Sequence, residues 1–239
     1  GAGSTARGIL VRDREADDAE RVLKVGIDDG VASRLADEAE TLRSVADLAP
    51  SLTGVVRLIE GPKQLPRGRT ALLLTYCGQQ TLADLVRYDS VSENRLKLWG
   101  TELLNTLIGL DEAGITHRDI KPSNLGLYRE PGRNTQPRLV LFDFSLARAS
   151  ADSIEAGTPP YRDPDLGIGT RRAYDSAAER YSVAVVLYEM ATASTPLYGD
   201  GRSDPSALTD EPTIEVEDFV AHDFAPTRAL RQISDYGHG

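Results

Sequence analysis

The sequence predicts an α+β fold, with short strands gathered before residue 76 and long helices after it. Three observations carry that prediction. β-like runs of four to six residues stand at 21–25, 55–59 and 71–76, the last two joined by a turn containing Gly61, Pro62, Pro66 and Gly68. Residues 92–113 and 177–192 hold apolar patterns of helical length. Between the first of these helices and a short apolar run at 125–128 lies a polar loop, His117-Arg118-Asp119-Ile120-Lys121-Pro122-Ser123-Asn124.

At 239 residues the chain can form one large domain or two small lobes around one cleft. Its 40% hydrophobic and 27% charged residues are those of an ordinary globular protein. A formal net charge of −10 argues against direct nucleic-acid binding or an anionic membrane surface, both of which call for clustered Lys and Arg. No apolar run reaches spanning length, and no signal-peptide pattern opens the chain, so the expected location is cytoplasmic. One cysteine, Cys77, excludes an intrachain disulfide and a multi-cysteine zinc site.

The polar loop at 117–124 puts a carboxylate, an ammonium and an amide within six residues. Phosphoryl transfer asks the protein for positioning and charge neutralisation more than for covalent chemistry. Asp119 can take the proton of a substrate hydroxyl, Lys121 can hold the transferring phosphoryl group, and Asn124 can hold a magnesium ion. An H-R-D tripeptide alone is common in loops; Lys121 and Asn124 at this spacing make the string specific. It resembles the catalytic loop of protein kinases. The resemblance implies a two-lobed kinase-like fold over residues 1–239, with a β-rich N-lobe carrying one helix (1–76), a mostly helical C-lobe (77–239), and ATP between them. Set against that family, the domain is expected to be cut short at both ends.

The remaining elements follow in chain order. Gly1 and Gly3 let backbone amides approach phosphates and resemble the start of a kinase glycine-rich loop. Ala6 stands at that loop's third glycine and Gly8 at its usual valine, two departures that bear on nucleotide clamping. An acidic turn at 13–20 leads into Arg21-Val22-Leu23-Lys24-Val25, where side-chain alternation turns Lys24 away from Leu23 and Val25. Alone, this is a solvated strand lysine. After a glycine loop and before a helix, it resembles the kinase lysine that holds the α- and β-phosphates.

Residues 33–45 read as a helix with Leu35, Ala39, Leu42 and Ala46 on one stripe. Glu38 shares that inward face and is the preferred partner of Lys24; Glu40, nearer the solvated side, is the runner-up. Beyond the strand at 71–76, the resemblance makes Leu74 the residue at the back of an adenine pocket. It assigns backbone groups of Thr75 and Cys77 to the adenine edge. No histidine or basic cluster lies near Cys77 in sequence, so it reads as a pocket wall rather than a nucleophile.

Residues 92–113 are the clearest helix, with Ser92 as N-cap, Leu96, Trp99, Leu103, Leu107 and Leu110 in a stripe, and Gly114 as C-terminal cap. A Gly/Pro loop at 131–137 precedes a strand at 139–142 that ends on Asp143-Phe144-Ser145. Asp143 resembles the magnesium-binding aspartate of the D-F-G motif, with Ser145 in place of glycine. Gly157-Thr158 and Tyr161-Arg162-Asp163-Pro164-Asp165 match the landmarks of an activation segment, with Asp163 and Asp165 at the Ala and Glu of A-P-E. Thr158 beside Lys121 is the serine/threonine-type arrangement. Residues 177–192 are apolar nearly all round and read as a buried central helix, with Glu179 where an aspartate usually anchors the catalytic loop. Residues 198–217 read as irregular loops, and 229–233 as the start of a helix.

By this resemblance the chain is a protein serine/threonine kinase using ATP and Mg2+ on a protein substrate. Alternatives are a nucleotide-binding regulatory module without transfer activity, or a small-molecule phosphotransferase of the aminoglycoside type, a class that usually lacks Lys121 at this spacing. A narrower resemblance, on Tyr161 to Asp165, Ala178-Glu179-Arg180-Tyr181 and Gly199-Asp200-Gly201, is to bacterial kinases of phage-growth-limitation defence systems, and it implies a larger multidomain chain. The family also implies a switch in which Arg118 receives a phosphate from Ser150 or Ser153.

Overall fold

The computed structural model describes residues 6–27, 31–87, 91–132, 135–168 and 172–196. The glycines of the loop at the start, Gly1 and Gly3, lie outside the described residues, as do the stretches at 198–217 and 229–233.

Two lobes are present. The first is a four-stranded antiparallel sheet of order β1-β2-β4-β3, built from β1 (Ala6–Asp13), β2 (Ala19–Gly26), β3 (Leu58–Gln64) and β4 (Thr70–Thr75). β1 and β2 form a hairpin in register Arg7↔Val25 to Asp13↔Ala19, and β2 pairs Lys24 with Leu72 of β4. Helix α1 (Ala32–Leu48) packs on β3 and β4. Its buried face is Leu35, Glu38, Ala39, Thr41, Leu42 and Val45, so Val45 takes the place expected of Ala46, which is exposed. A 3.6-residue period keeps 46 within the arc of 35, 38, 39, 42 and 45, so the period does not set its exposure; Ala46 lies in the last turn of α1.

The strand expected at 55–59 begins later and runs further, through Gly61 and Pro62, with two irregularities in its pairing to β4. The glycine and proline therefore sit in an irregular edge strand, and the reversal falls at 65–69. Val55 and Val56 leave the sheet: Val56 N–H donates to Leu141 O at 2.9 Å and Leu141 N–H to Gly54 O at 2.8 Å. These bonds tie the first lobe to the second.

The second lobe contains α2 (Leu82–Val86), α3 (Glu93–Glu112), the hairpin β5 (Leu125–Tyr128) with β6 (Arg138–Leu141), α4 (Asp165–Ile168) and α5 (Ser176–Thr192). α3 buries Trp99, Leu103, Leu107 and Leu110 along the predicted stripe. It ends as predicted on a left-handed Gly114 (φ 67°), with Gly114 N–H on Asp111 O and Ile115 N–H on Leu110 O, both at 2.9 Å. Ser92 precedes α3 in an extended conformation but makes no side-chain cap bond. α5 is buried through Ala178, Glu179, Ser182, Val183, Val185, Val186, Leu187 and Met190, and Asp175 caps it by accepting from Ala178 N–H at 3.0 Å. One continuous apolar core joins the lobes, from Leu35 and Leu42 through Leu72, Leu82 and Trp99 to Phe144 and Val186.

Candidate active site

Lys24 is directed by β2 toward α1, where Glu38 is fully buried. Its Nζ lies 2.9 Å and 2.7 Å from the two carboxylate oxygens of Glu38, and 2.7 Å from Asp143 Oδ1. Glu38 also accepts the backbone N–H of Phe144. Glu40 is exposed on the same helix and pairs with Arg148 at 3.2 Å. The inward face thus brings Glu38, and not Glu40, to Lys24.

This cluster sets one cation against two carboxylates. Burial favours the neutral amine, but the carboxylates outweigh it, so the Lys24 pKa lies above its ordinary value. Glu38, deepest of the three, is pushed above the usual carboxylate range by burial, with Lys24 offsetting part of the effect. Asp143 is held below that range: burial opposes this, and Lys24 with the hydroxyl of Ser145 prevails.

The loop after α3 carries the second group. Asp119 Oδ1 accepts from Thr158 Oγ1 at 2.7 Å, Asp119 Oδ2 lies 2.7 Å from Lys121 Nζ, and Lys121 Nζ donates to Thr158 Oγ1 at 2.6 Å. These contacts close a triangle that brings Thr158 to Asp119 and Lys121, 39 and 37 positions away in the chain. Asn124 Nδ2 donates to Asp119 O at 2.8 Å and Oδ2 at 3.1 Å, which leaves its carbonyl oxygen as the end for a cation. Phe142 N–H donates to Asn124 O at 3.0 Å, one residue before Asp143.

Backbone and ring contacts hold the loop. Glu179 of α5 accepts His117 N–H at 2.9 Å and Arg118 N–H at 2.6 Å, so the longer side chain still reaches both amides. The ring of His117 lies edge-on to Phe144, with centroids 4.6 Å apart. Asp119 N–H donates to His117 Nδ1 at 3.2 Å, which leaves Nε2–H as the donor to Phe142 O at 3.0 Å. Arg118 and Asp143 both have φ of 69°, the left-handed region that non-glycine residues seldom occupy. In the Asp143-Phe144-Ser145 turn the strained residue is therefore Asp143, and Ser145 does not take positive φ.

The site can accommodate magnesium. Asp143 and Asn124 offer hard oxygen donors, and the Lys24 cluster carries one carboxylate in excess of its cation. Among the described residues no three His, Cys, Asp or Glu side chains converge as a metal cage. Two protein ligands completed by phosphate oxygens and water is how magnesium is usually held beside a nucleotide.

The segment linking the lobes follows Leu74 of β4, which is buried. Thr75 N–H donates to Arg57 O, and Thr75 Oγ1 accepts from Arg57 N–H, each at 2.9 Å. The Cys77 thiol is buried 3.6 Å from Thr75 O, and burial pushes its pKa up to about 12. A cavity of about 440 Å3 lined by Leu48, Glu102, Ile108 and Arg138 shares no residue with this site.

Sequence reasoning missed what Arg118 does. Its guanidinium donates to Ala149 O, to Ser150 O at 2.7 Å and to Ser153 O at 3.0 Å, and stacks 4.5 Å from the ring centre of Tyr174. Tyr174 sits alone among polar residues with no periodicity, so nothing local marked it.

The protein kinase domain model matches residues 1–229. The probable kinase PglW of Streptomyces coelicolor is 38% identical over 92% of this chain and 16% of that protein. Serine/threonine-protein kinase ULK1 of Homo sapiens is 27% identical over 66% of this chain and 16% of its own length. The chain thus spans about a sixth of either relative. The crystal structure of the PF14_0431 kinase domain shares the fold, with a TM-score of 0.68 and 21% identity over 85% of this chain and 65% of that one. With the match running across both lobes, and Asp119, Lys121, Asn124 and Asp143 gathered between them, the chain belongs to the protein kinase family.

Proposed function

We propose that this domain transfers the γ-phosphoryl group of ATP to a serine or threonine hydroxyl of a protein, with magnesium held by Asp143 and Asn124. The observation that carries the reading is the closed triangle of Asp119, Lys121 and Thr158. Its shape supports a division of roles. Asp119 orients the acceptor hydroxyl and takes its proton as the oxygen attacks phosphorus. Lys121 neutralises charge on the transferring group, and Thr158 holds both side chains in place. Lys24, fixed by Glu38, orients the α- and β-phosphates. Magnesium, when bound, would neutralise phosphate charge. Leu74, Thr75 and Cys77 form the adenine end, with Gly1 and Gly3 assigned to the phosphate cover.

Serine/threonine preference rests on the pairing of Thr158 with Lys121. A cytoplasmic setting and a larger multidomain parent chain are part of the same reading. The short span of the relatives that the chain covers supports the latter.

The test is transfer of labelled phosphate from ATP to a generic protein substrate, followed by phosphoamino-acid analysis. Asp119→Asn should abolish transfer while ATP affinity stays within a few-fold, because this carboxylate meets the acceptor rather than the nucleotide. Full transfer by Asp119→Asn would remove the assignment, and label on tyrosine alone would remove the serine/threonine specificity.

A further inference from the structure

Tyr174 is tied to its surroundings in four ways. Its backbone N–H donates to Ala151 O at 2.9 Å. Its ring faces the Arg118 guanidinium at 4.5 Å. Its hydroxyl donates to Glu179 Oε1 at 3.0 Å. Its body packs with Leu166, Ala178 and Ile154 in a small apolar cluster of its own. Burial and the neighbouring Glu179 carboxylate push the phenol pKa up, so the hydroxyl remains a donor.

Each of these ties reaches a different part of the site. Glu179 holds the backbone of His117 and Arg118, immediately before Asp119. Arg118 holds the carbonyls of Ala149, Ser150 and Ser153 with the Nη1 and Nη2 ends of its donor fork, while its Nε is buried without a hydrogen-bond partner. That fork is the group expected to receive a phosphate from Ser150 or Ser153, whose side chains are exposed. Here the segment is drawn to the arginine by its own main chain, and a phosphate would have to displace those carbonyls. An arginine fork with three carbonyl acceptors and an aromatic face needs no added anion to be ordered.

We propose that Tyr174 is a positioning residue that clasps the activation segment to the catalytic loop through Arg118 and Glu179, and that this clasp holds Asp119 in its working geometry without phosphorylation of the segment. The proposal rests on the kinase reading above for its effect on transfer. Its effect on the structure of residues 149–154 is independent of that reading.

The experiment compares wild type, Tyr174→Phe, Tyr174→Ala and the Ser150→Ala/Ser153→Ala double variant, each treated with phosphatase and then assayed beside an untreated half. Amide hydrogen exchange is followed over residues 146–162 in the same samples without nucleotide. Phosphatase-treated wild type and the double variant should keep full transfer. Tyr174→Ala should lose about tenfold or more in kcat, the loss of roughly one substantial contact, with ATP affinity within about twofold. Tyr174→Phe keeps the ring and should fall between the two. Exchange should quicken at Ser153 and Ile154 in Tyr174→Ala and stay slow in wild type and the double variant. A treated wild type that recovers only after incubation with ATP, with an inactive double variant, would show that the segment needs its phosphate. Unchanged kcat and unchanged exchange in Tyr174→Ala would remove the clasp. If wild type transfers nothing but Tyr174→Ala alone loses protection, the clasp stands and the kinase reading fails.

Discussion

Lys24 is paired with both Glu38 and Asp143, each 2.7 Å away, and its side chain is 15% exposed. Removing one partner of a buried pair typically costs about 3–5 kcal/mol, because the other charge is left behind. Lys24→Met should therefore lower Tm as well as cut transfer by orders of magnitude. Glu38→Gln keeps the shape and loses the charge, and should reduce transfer strongly. Glu40→Gln breaks only an exposed pair, for which about 0–1 kcal/mol is usual, and should leave transfer near wild type. Parallel assays in which the two glutamates rank the other way would overturn the pairing. Cys77 gives a check of a different kind. With a pKa of about 12, only about one thiol in ten thousand is ionised at pH 8, and the thiolate is the reactive form. Iodoacetamide at pH 8 should leave the folded protein unmodified and alkylate it in urea; rapid labelling of the native protein would mean the thiol is not buried as described.

Gly114 and Gly126 separate two reasons for a glycine at the scale of an element. At Gly114 (φ 67°) an added Cβ would meet nothing within 4 Å, so Gly114→Ala costs only the left-handed backbone, about 1–2 kcal/mol. At Gly126, in β5, an added Cβ would lie 2.3 Å from Cys77 O, where β5 crosses the segment between the lobes. Backbone cannot yield as a side-chain end can. Gly126→Ala should therefore destabilise by at least the about 1–3 kcal/mol of overpacking and weaken ATP binding through Cys77. Gly114→Ala should leave ATP affinity unchanged. Equal effects on affinity in a direct binding measurement would disprove the distinction. The first of these glycines was legible in the sequence, since it closes a long apolar period; the second was not, because its reason is a strand met only in space. The same contrast separates α3, read almost to its ends, from β1 and α2, which were not read. β1 exposes Ile9 and Leu10 and shows no alternation, and the five-residue α2 is too short for a helical period. Its Thr81–Asp84 capping box was the available signal.

At the scale of the whole molecule, the proposed ATP and magnesium site draws residues from both lobes. Lys24 and Glu38 come from the first, and Asn124 and Asp143 from the second. A ligand that binds only the folded chain stabilises it by mass action, about 2.7 kcal/mol at a hundred times its Kd. For a chain of this size that is a rise in Tm of about 5–10 °C. ATP with Mg2+ should give such a rise, ATP with EDTA a smaller one, and Asp143→Asn should erase the difference between them. An equal rise in wild type with and without the metal would remove Asp143 and Asn124 as its ligands.

The chain by itself determined the candidate residues for the proposed chemistry. Asp119, Lys121 and Asn124 stand within six positions, and Lys24, Glu38, Asp143 and Thr158 each stand in a local pattern that resembles a protein-kinase motif, so the resemblance was enough to name them. It also determined α3, because an apolar stripe repeated over about four turns is not mistaken for another period. Only the tertiary structure decided how those residues are held. Arg118 could be read as a phosphate receiver because a guanidinium has the same five donors whatever accepts from them. Its acceptors turned out to be carbonyls 31 to 35 residues away, and main-chain carbonyls carry no residue identity in a sequence. Tyr174 was silent for the related reason that its partners, Arg118 and Glu179, are brought to it by separate elements, a loop and a helix. Contacts that join distant segments through backbone atoms are fixed by packing, and packing is what one-dimensional spacing does not contain.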